Sequence, residues 1–215
     1  MIKAFILAVT CTALVSCGPL SKGGVGDTLI NAGKLVTGLG GGAEEPAPSP
    51  EMASAQPEDV LVISIAALGL ATPTVRVGQN GSVSTWRADQ GFSFSFDNDI
   101  LVATRGLGDD LIGSDANGVR AAIAAGGGTV SRAHSYLGAL DQIVLRETTC
   151  TITRIGSEDV PTLTGSTRNL VRHNESCTGR TIAFENIYWT NEAGDIMRSQ
   201  QLVSPSLAYL VTDRL

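Results

Sequence analysis

Charge is scarce in this chain. Only 17% of its 215 residues are Asp, Glu, Lys or Arg, and the balance is −6 at neutral pH. The Lys and Arg residues form no cluster, which argues against a nucleic-acid surface built on phosphate contacts. An acidic body is also weakly repelled by anionic lipid, so attachment to a membrane would need something other than charge. No apolar run reaches the ~20 residues a helix needs to cross a ~30 Å hydrocarbon core. The sequence lacks Gly-x-Ser-x-Gly, His-Glu-x-x-His, a phosphate loop and a dinucleotide fingerprint, and it calls for no cofactor and no metal. Aromatic residues are few, at 5%, whereas there are 25 glycines and many Ser and Thr. That mixture suits strands joined by turns better than a helical bundle. Hydrophobic residues at 43% place the chain in the globular class, with length for one domain plus appendages.

The amino end has its own logic. Met1-Ile2-Lys3 supplies a positive start, and Ala4 to Val15 is an apolar stretch too short to span a bilayer but suited to a secretory signal. Leu14-Val15-Ser16-Cys17 then resembles a bacterial lipobox, in which the sulfur takes diacylglycerol before cleavage on its amino side. Residues 1–16 are therefore expected to be removed, leaving Cys17 as the acylated first residue. Several acyl chains on one residue suffice for stable anchoring. Gly18 stands where an Asp would resemble an inner-membrane retention signal, so a periplasm-facing position on the outer membrane is expected.

Cys11 leaves with the signal and Cys17 is acylated, so Cys150 and Cys177 remain as a pair in an oxidising compartment. A disulfide is the preferred reading. Two buried thiols, or a metal site recruiting His173, are the alternatives. A bridge would need Cα atoms ~4.4–6.8 Å apart and hence neighbouring segments.

Val25, Leu29, Ala32, Val36 and Leu39 recur at helical spacing behind a cap at Asp27, and Glu44 to Pro57 reads as a Pro-rich tether. The division expected is 1–16 signal, 17–57 lipidated leader, helix and tether, and 58–215 a β-rich domain. Within it, residues 59–70 carry both strand and helix signals. Phe92, Phe94 and Phe96 alternate with serines, Gln79-Asn80-Gly81 and Asp97-Asn98-Asp99 are turns, and Ala116 to Ala125 is the best helix. Strands are expected over 129–137, 142–155, 160–172, 179–190, 195–204 and near 207–213. Consecutive strands without helices between them imply a mainly β, antiparallel meander or incomplete barrel with one or two short helices.

Chemistry has few places to reside. Asp109-Asp110 is the most enzyme-like feature, since paired carboxylates can divide acid and base roles in glycan cleavage, with Asp97 as a further acid. The same pair equally suits a turn, with Arg105 as an internal ion partner. Trp86, Tyr188 and Trp189 could stack on sugar rings, although core packing is the preferred role. His134 and His173 have no partner in sequence and read as surface or satisfied residues. No catalytic residue is assigned. Arg105, Asp109, Asp110 and Trp189 are the candidates for contact with a glycan or partner.

Taken in order, Leu101-Val102-Ala103-Thr104-Arg105-Gly106-Leu107-Gly108-Asp109-Asp110-Leu111, then Tyr188-Trp189, Gly194, Ile196, Ser199, Gln201 and Ser204-Pro205, resemble the YjbF/GfcB-like capsule polysaccharide lipoproteins. The resemblance runs from about residue 58 to the end. It implies an outer-membrane lipoprotein of exopolysaccharide or capsule export, mostly β, with no established enzymatic activity and hence an expected non-enzymatic role. The partners it implies are a periplasmic accessory protein and an outer-membrane β-barrel; direct contact with the polysaccharide is the alternative reading, resting on the aromatic residues above.

Overall fold

The computed structural model describes residues 48–215 apart from positions 139 and 141. The secretory segment, Cys17 and the Val25–Leu39 stripe lie outside the described residues. Twelve strands form one antiparallel sheet, in the order β5-β4-β3-β2-β1-β12-β11-β10-β9-β8-β7-β6. They are β1 (Val60–Ile65), β2 (Leu70–Asn80), β3 (Val83–Arg87), β4 (Ser93–Asp97), β5 (Ile100–Arg105), β6 (Leu111–Ser114), β7 (Gly127–Leu137), β8 (Ile143–Pro161), β9 (Thr167–Gly179), β10 (Ala183–Thr190), β11 (Ile196–Ser204) and β12 (Ala208–Arg214). Neighbours in sequence pair in two meanders, and β1 pairs with β12 to join them. The two edge strands, β5 and β6, then lie alongside each other. The meander has rolled into a nearly closed barrel, with two short helices, α1 (Pro50–Ser54) and α2 (Val119–Ala124).

Local chemistry explains most of these elements. Both signals in 59–70 are used in succession: the β-branched run makes β1, and Ala66–Leu68 makes a 3-10 turn closed by Gly69 at φ +58°. Asn98 and Asp99 turn the chain at φ +47° and +71°, the left-handed pair that a two-residue hairpin requires. Phe94 and Phe96 are buried as their alternation predicts. They join Leu61, Ile63, Ile65, Trp86, Leu101, Leu111 and Leu210 in the largest apolar cluster.

Two expectations are corrected. The break placed between 155 and 160 is not a turn. β8 runs on to Pro161, and Gly156, at φ +143°, sits in a β-bulge where the register with β9 slips. An extra residue absorbed this way sharpens strand twist without ending pairing. The reversal comes at 162–166, where the Thr162 N–H donates to the Ser166 carbonyl at 2.8 Å and their hydroxyls meet at 2.8 Å. The folded body also begins ahead of Glu58. Ser49 caps α1 by accepting from the Met52 N–H, and Met52 is buried against Val60 and Val75. Proline at the first helical turn and one apolar residue aimed at the sheet were enough to take this end of the supposed tether into the fold.

Candidate functional site

The barrel interior contains a buried polar centre. Arg132 on β7 donates through Nη1 to both oxygens of Glu175 on β9, at 3.3 and 3.2 Å, and both residues are fully buried. Glu175 also accepts from Asn186 Nδ2 and from the Tyr188 hydroxyl, each at 2.7 Å. Arg132 spends its other nitrogens on the Ser114 hydroxyl and the Asp115 carbonyl. Gln201 accepts from the Leu101 N–H at 2.8 Å and donates to the Asp99 carbonyl at 3.0 Å, tying β11 across the interior to β5. Burial, and then the neighbouring Glu175 carboxylate, push the Tyr188 hydroxyl well above its ordinary range, so it stays a donor. A buried network hydrogen-bonded this way rigidifies a core.

Arg132, Glu175 and Asn186 were not singled out from the sequence, although a signal existed. Val130, Arg132, His134 and Tyr136 share one parity on β7, as do His173, Glu175 and Cys177 on β9, so charged residues occupy the core-facing rows.

Cys150 and Cys177 are bonded, and they stand directly opposite each other in the β8–β9 register with Cα atoms 4.0 Å apart. The spacing is below the expected span because direct cross-strand pairs are the closest approach two strands offer. Glu175 lies within 4.8 Å of both sulfurs. The sulfurs are consumed by the bridge and the carboxylate by Arg132, Asn186 and Tyr188, so this trio does not fit a metal ion. His173 is instead 3.3 Å from the Thr190 hydroxyl.

The Asp109-Asp110 motif closes the barrel. No ladder of backbone bonds joins β5 to β6, and side chains take its place. Asp110 accepts from the Thr104 hydroxyl at 2.7 Å, the Gly106 N–H at 2.9 Å and the Leu107 N–H at 3.3 Å. The Thr104 hydroxyl accepts in turn from the Leu111 N–H at 3.0 Å. Arg105 does not pair with either acid. Its guanidinium donates to the Thr104 carbonyl at 2.5 Å and across the seam to the carbonyls of Leu111 and Ile112, at 3.2 and 3.1 Å, backbone acceptors that the edge of β6 leaves unpaired. Asp109 accepts from the Ser206 hydroxyl in the β11–β12 turn, beside Ser204-Pro205. Asp97 ends β4 at the β4–β5 turn and accepts from the Asn98 amide.

The tryptophans are covered. Trp86 is 2% exposed and donates to the Ser84 hydroxyl. Trp189 is 8% exposed, with the guanidiniums of Arg172 and Arg198 6.0 and 5.6 Å from its ring and its Nε1 donating to Glu158 at 2.6 Å. The β8–β9 hairpin end folds over this patch, and its Leu163 N–H donates to Asp213 at 2.6 Å. Neither ring offers a free face to a sugar. A cavity beside Trp86 and Phe96 is about 10 Å³, room for roughly one water. A wider recess of about 340 Å³ between α1 and β2–β3 is rimmed by charges already paired, Arg76 with Asp59 and Arg87 with Glu51.

The histidines are interior residues. Burial, with nearby Arg132, lowers His134 to about 3, and burial with Arg154 and Arg120 lowers His173. Both therefore stay neutral in the fold while the unfolded chain takes up protons below pH ~6.5. Stability contributed this way is present above pH 6.5 and is lost as pH falls toward the folded values. A His134→Asn variant should lose less stability than the parent between pH 6.5 and 4.5, measured by urea unfolding. Equal losses in both proteins would reject this assignment.

No curated protein matches the chain. Among solved structures it is similar to the hypothetical lipoprotein YmcC from Escherichia coli (K12), with a TM-score of 0.65 at 15% identity, covering 88% of this chain and 90% of that one. At that identity the likeness speaks for the fold. The family model described as group 4 capsule polysaccharide lipoprotein gfcB, YjbF, matches residues 30–215. The motifs that carried the resemblance, from Leu101–Leu111 through Tyr188 and Gln201 to Ser204-Pro205, meet in space at the β5 seam and the polar centre. The chain belongs to the YjbF family of group 4 capsule polysaccharide lipoproteins.

Proposed function

We propose that the mature chain is a lipid-anchored, periplasm-facing outer-membrane protein that assists production or export of an exopolysaccharide or capsule without catalysing a reaction. The observation that carries this reading is the engagement of Asp110 by three donors in the barrel seam, which commits its carboxylate to holding the loop between β5 and β6. Family membership supplies the polysaccharide context and the lipoprotein class. A rigid body on a lipid anchor works by contact, and its partners are a periplasmic accessory protein and an outer-membrane β-barrel of the same export system. Anchoring raises the effective concentration of such membrane-bound partners.

The test has two arms. Polymer incubated with the purified protein should keep its chain length on gel filtration, and shortening would defeat the non-enzymatic reading. In cells lacking the gene, the wild-type chain should restore surface polymer and a Cys17→Ala variant should not. Full restoration by that variant would defeat the anchoring.

A further inference from the structure

The β7–β8 hairpin ends in an uncovered apolar tip. β8 starts at Ile143, but its first partner on the β9 side is Thr148, opposite Gly179. Residues 143–147 thus run past the sheet with only β7 beside them. Ile143, Val144 and Leu145 are consecutive and all exposed, so apolar side chains emerge from both faces of the hairpin. Leu137 is exposed on the opposite strand, and Leu140, in the turn, is 90% exposed. Among the described residues the exposed large hydrophobics otherwise number three, Leu68, Val77 and Ile155. A concentration of five on one projecting tip marks a contact surface.

We propose that this tip inserts into the interfacial layer of the bilayer to which the chain is anchored, orienting the barrel on the membrane. The inference rests on the anchoring reading above. Residues 17–49 lie between the anchoring cysteine and the cap of α1; with the 25–39 stretch taken as helical at ~1.5 Å per residue and the rest extended they reach about 80 Å, enough to bring either end of the barrel to the surface. The shape selects the occupant. A partner strand added to the β8 edge would cover 143–147 but leave Leu137 and Leu140 in water, whereas a lipid surface covers all five side chains at once. At the base of the turn the Gly138 N–H donates to the Gln142 carbonyl at 2.7 Å. The free β8 edge would be costly in hydrocarbon, which limits entry to the wet headgroup and upper acyl region. Behind the tip, Arg146, bonded to the Thr181 carbonyl, and exposed Arg180 stand at headgroup level. Two acids, Asp141 in the tip sequence and exposed Glu147 at its base, also favour a shallow position.

The native cysteines of the mature chain are acylated or bridged, so one introduced cysteine can carry an environment-sensitive fluorophore. The full lipidated protein, labelled through Leu140→Cys or, as a control farther along β8, Ile155→Cys, is reconstituted on vesicles of phosphatidylethanolamine and phosphatidylglycerol. The Leu140→Cys probe should shift to the blue and lose most of its emission to acyl-brominated lipid, while the Ile155→Cys probe stays aqueous. If the protein floats with the vesicles and both probes stay aqueous, the insertion is overturned and the anchoring stands. A probe aqueous on vesicles but shielded in native envelopes would assign the tip to a protein and overturn the lipid. Failure to float would remove the anchoring and the insertion with it.

Discussion

A Glu175→Gln variant should lose about 3–5 kcal/mol of stability, because it leaves the Arg132 guanidinium charged, buried and unpaired. For a domain of this size that corresponds to a fall in melting temperature of roughly 6–20 °C. Glutamine preserves volume, so the loss is not a cavity effect. It also turns a nitrogen toward Asn186 and Tyr188, which donate to the carboxylate in the parent. Adding Arg132→Met to the Glu175→Gln background should recover part of the loss, since replacing a buried charge with an apolar side chain removes the uncompensated ion. Chemical unfolding of the parent and the variants checks both statements. A change under about 1 kcal/mol for Glu175→Gln would mean that water reaches the pair and that the centre does not hold the barrel together.

The second large effect belongs to the disulfide. Converting both Cys150 and Cys177 to alanine should cost about 3.5 kcal/mol, the loop-closure entropy for the 27-residue separation. Both sulfurs are buried in a small cluster with Phe184 and Leu202, so the loss of packing adds to the entropy. The bridge spans the longest hairpin in the barrel, whose distal end covers Trp189 and Asp213. Melting followed by tryptophan fluorescence should therefore show the loss. Unchanged melting of the double-alanine protein would contradict the stabilising role.

Much of the architecture was legible from alternation and turn chemistry, and the failures have physical causes. The β4 serines and phenylalanines and the Asp97-Asn98-Asp99 turn encode local geometry, which a one-dimensional pattern carries well. The Gly156 bulge reads like a turn because both need glycine, and only the pairing partner distinguishes them. Arg105 was expected beside Asp109 and Asp110 because they are close in sequence. Barrel closure instead offered it the carbonyls of β6, a long-range fact absent from any window of residues. The polar centre was hidden for a related reason. Arg132, Glu175 and Asn186 are harmless as surface residues of three strands, and their meeting inside becomes visible once the sheet has rolled up.

Asp110 should act as a closure of the barrel rather than as a reacting group. Amide hydrogen exchange on an Asp110→Ala variant tests this most directly. Losing charge-assisted hydrogen bonds worth roughly 1.5–3 kcal/mol should speed exchange in β5 (Ile100–Arg105) and β6 (Leu111–Ser114), while the β8–β9 ladder keeps its protection. Wild-type protection in both edge strands, together with loss of polymer at the cell surface, would contradict it.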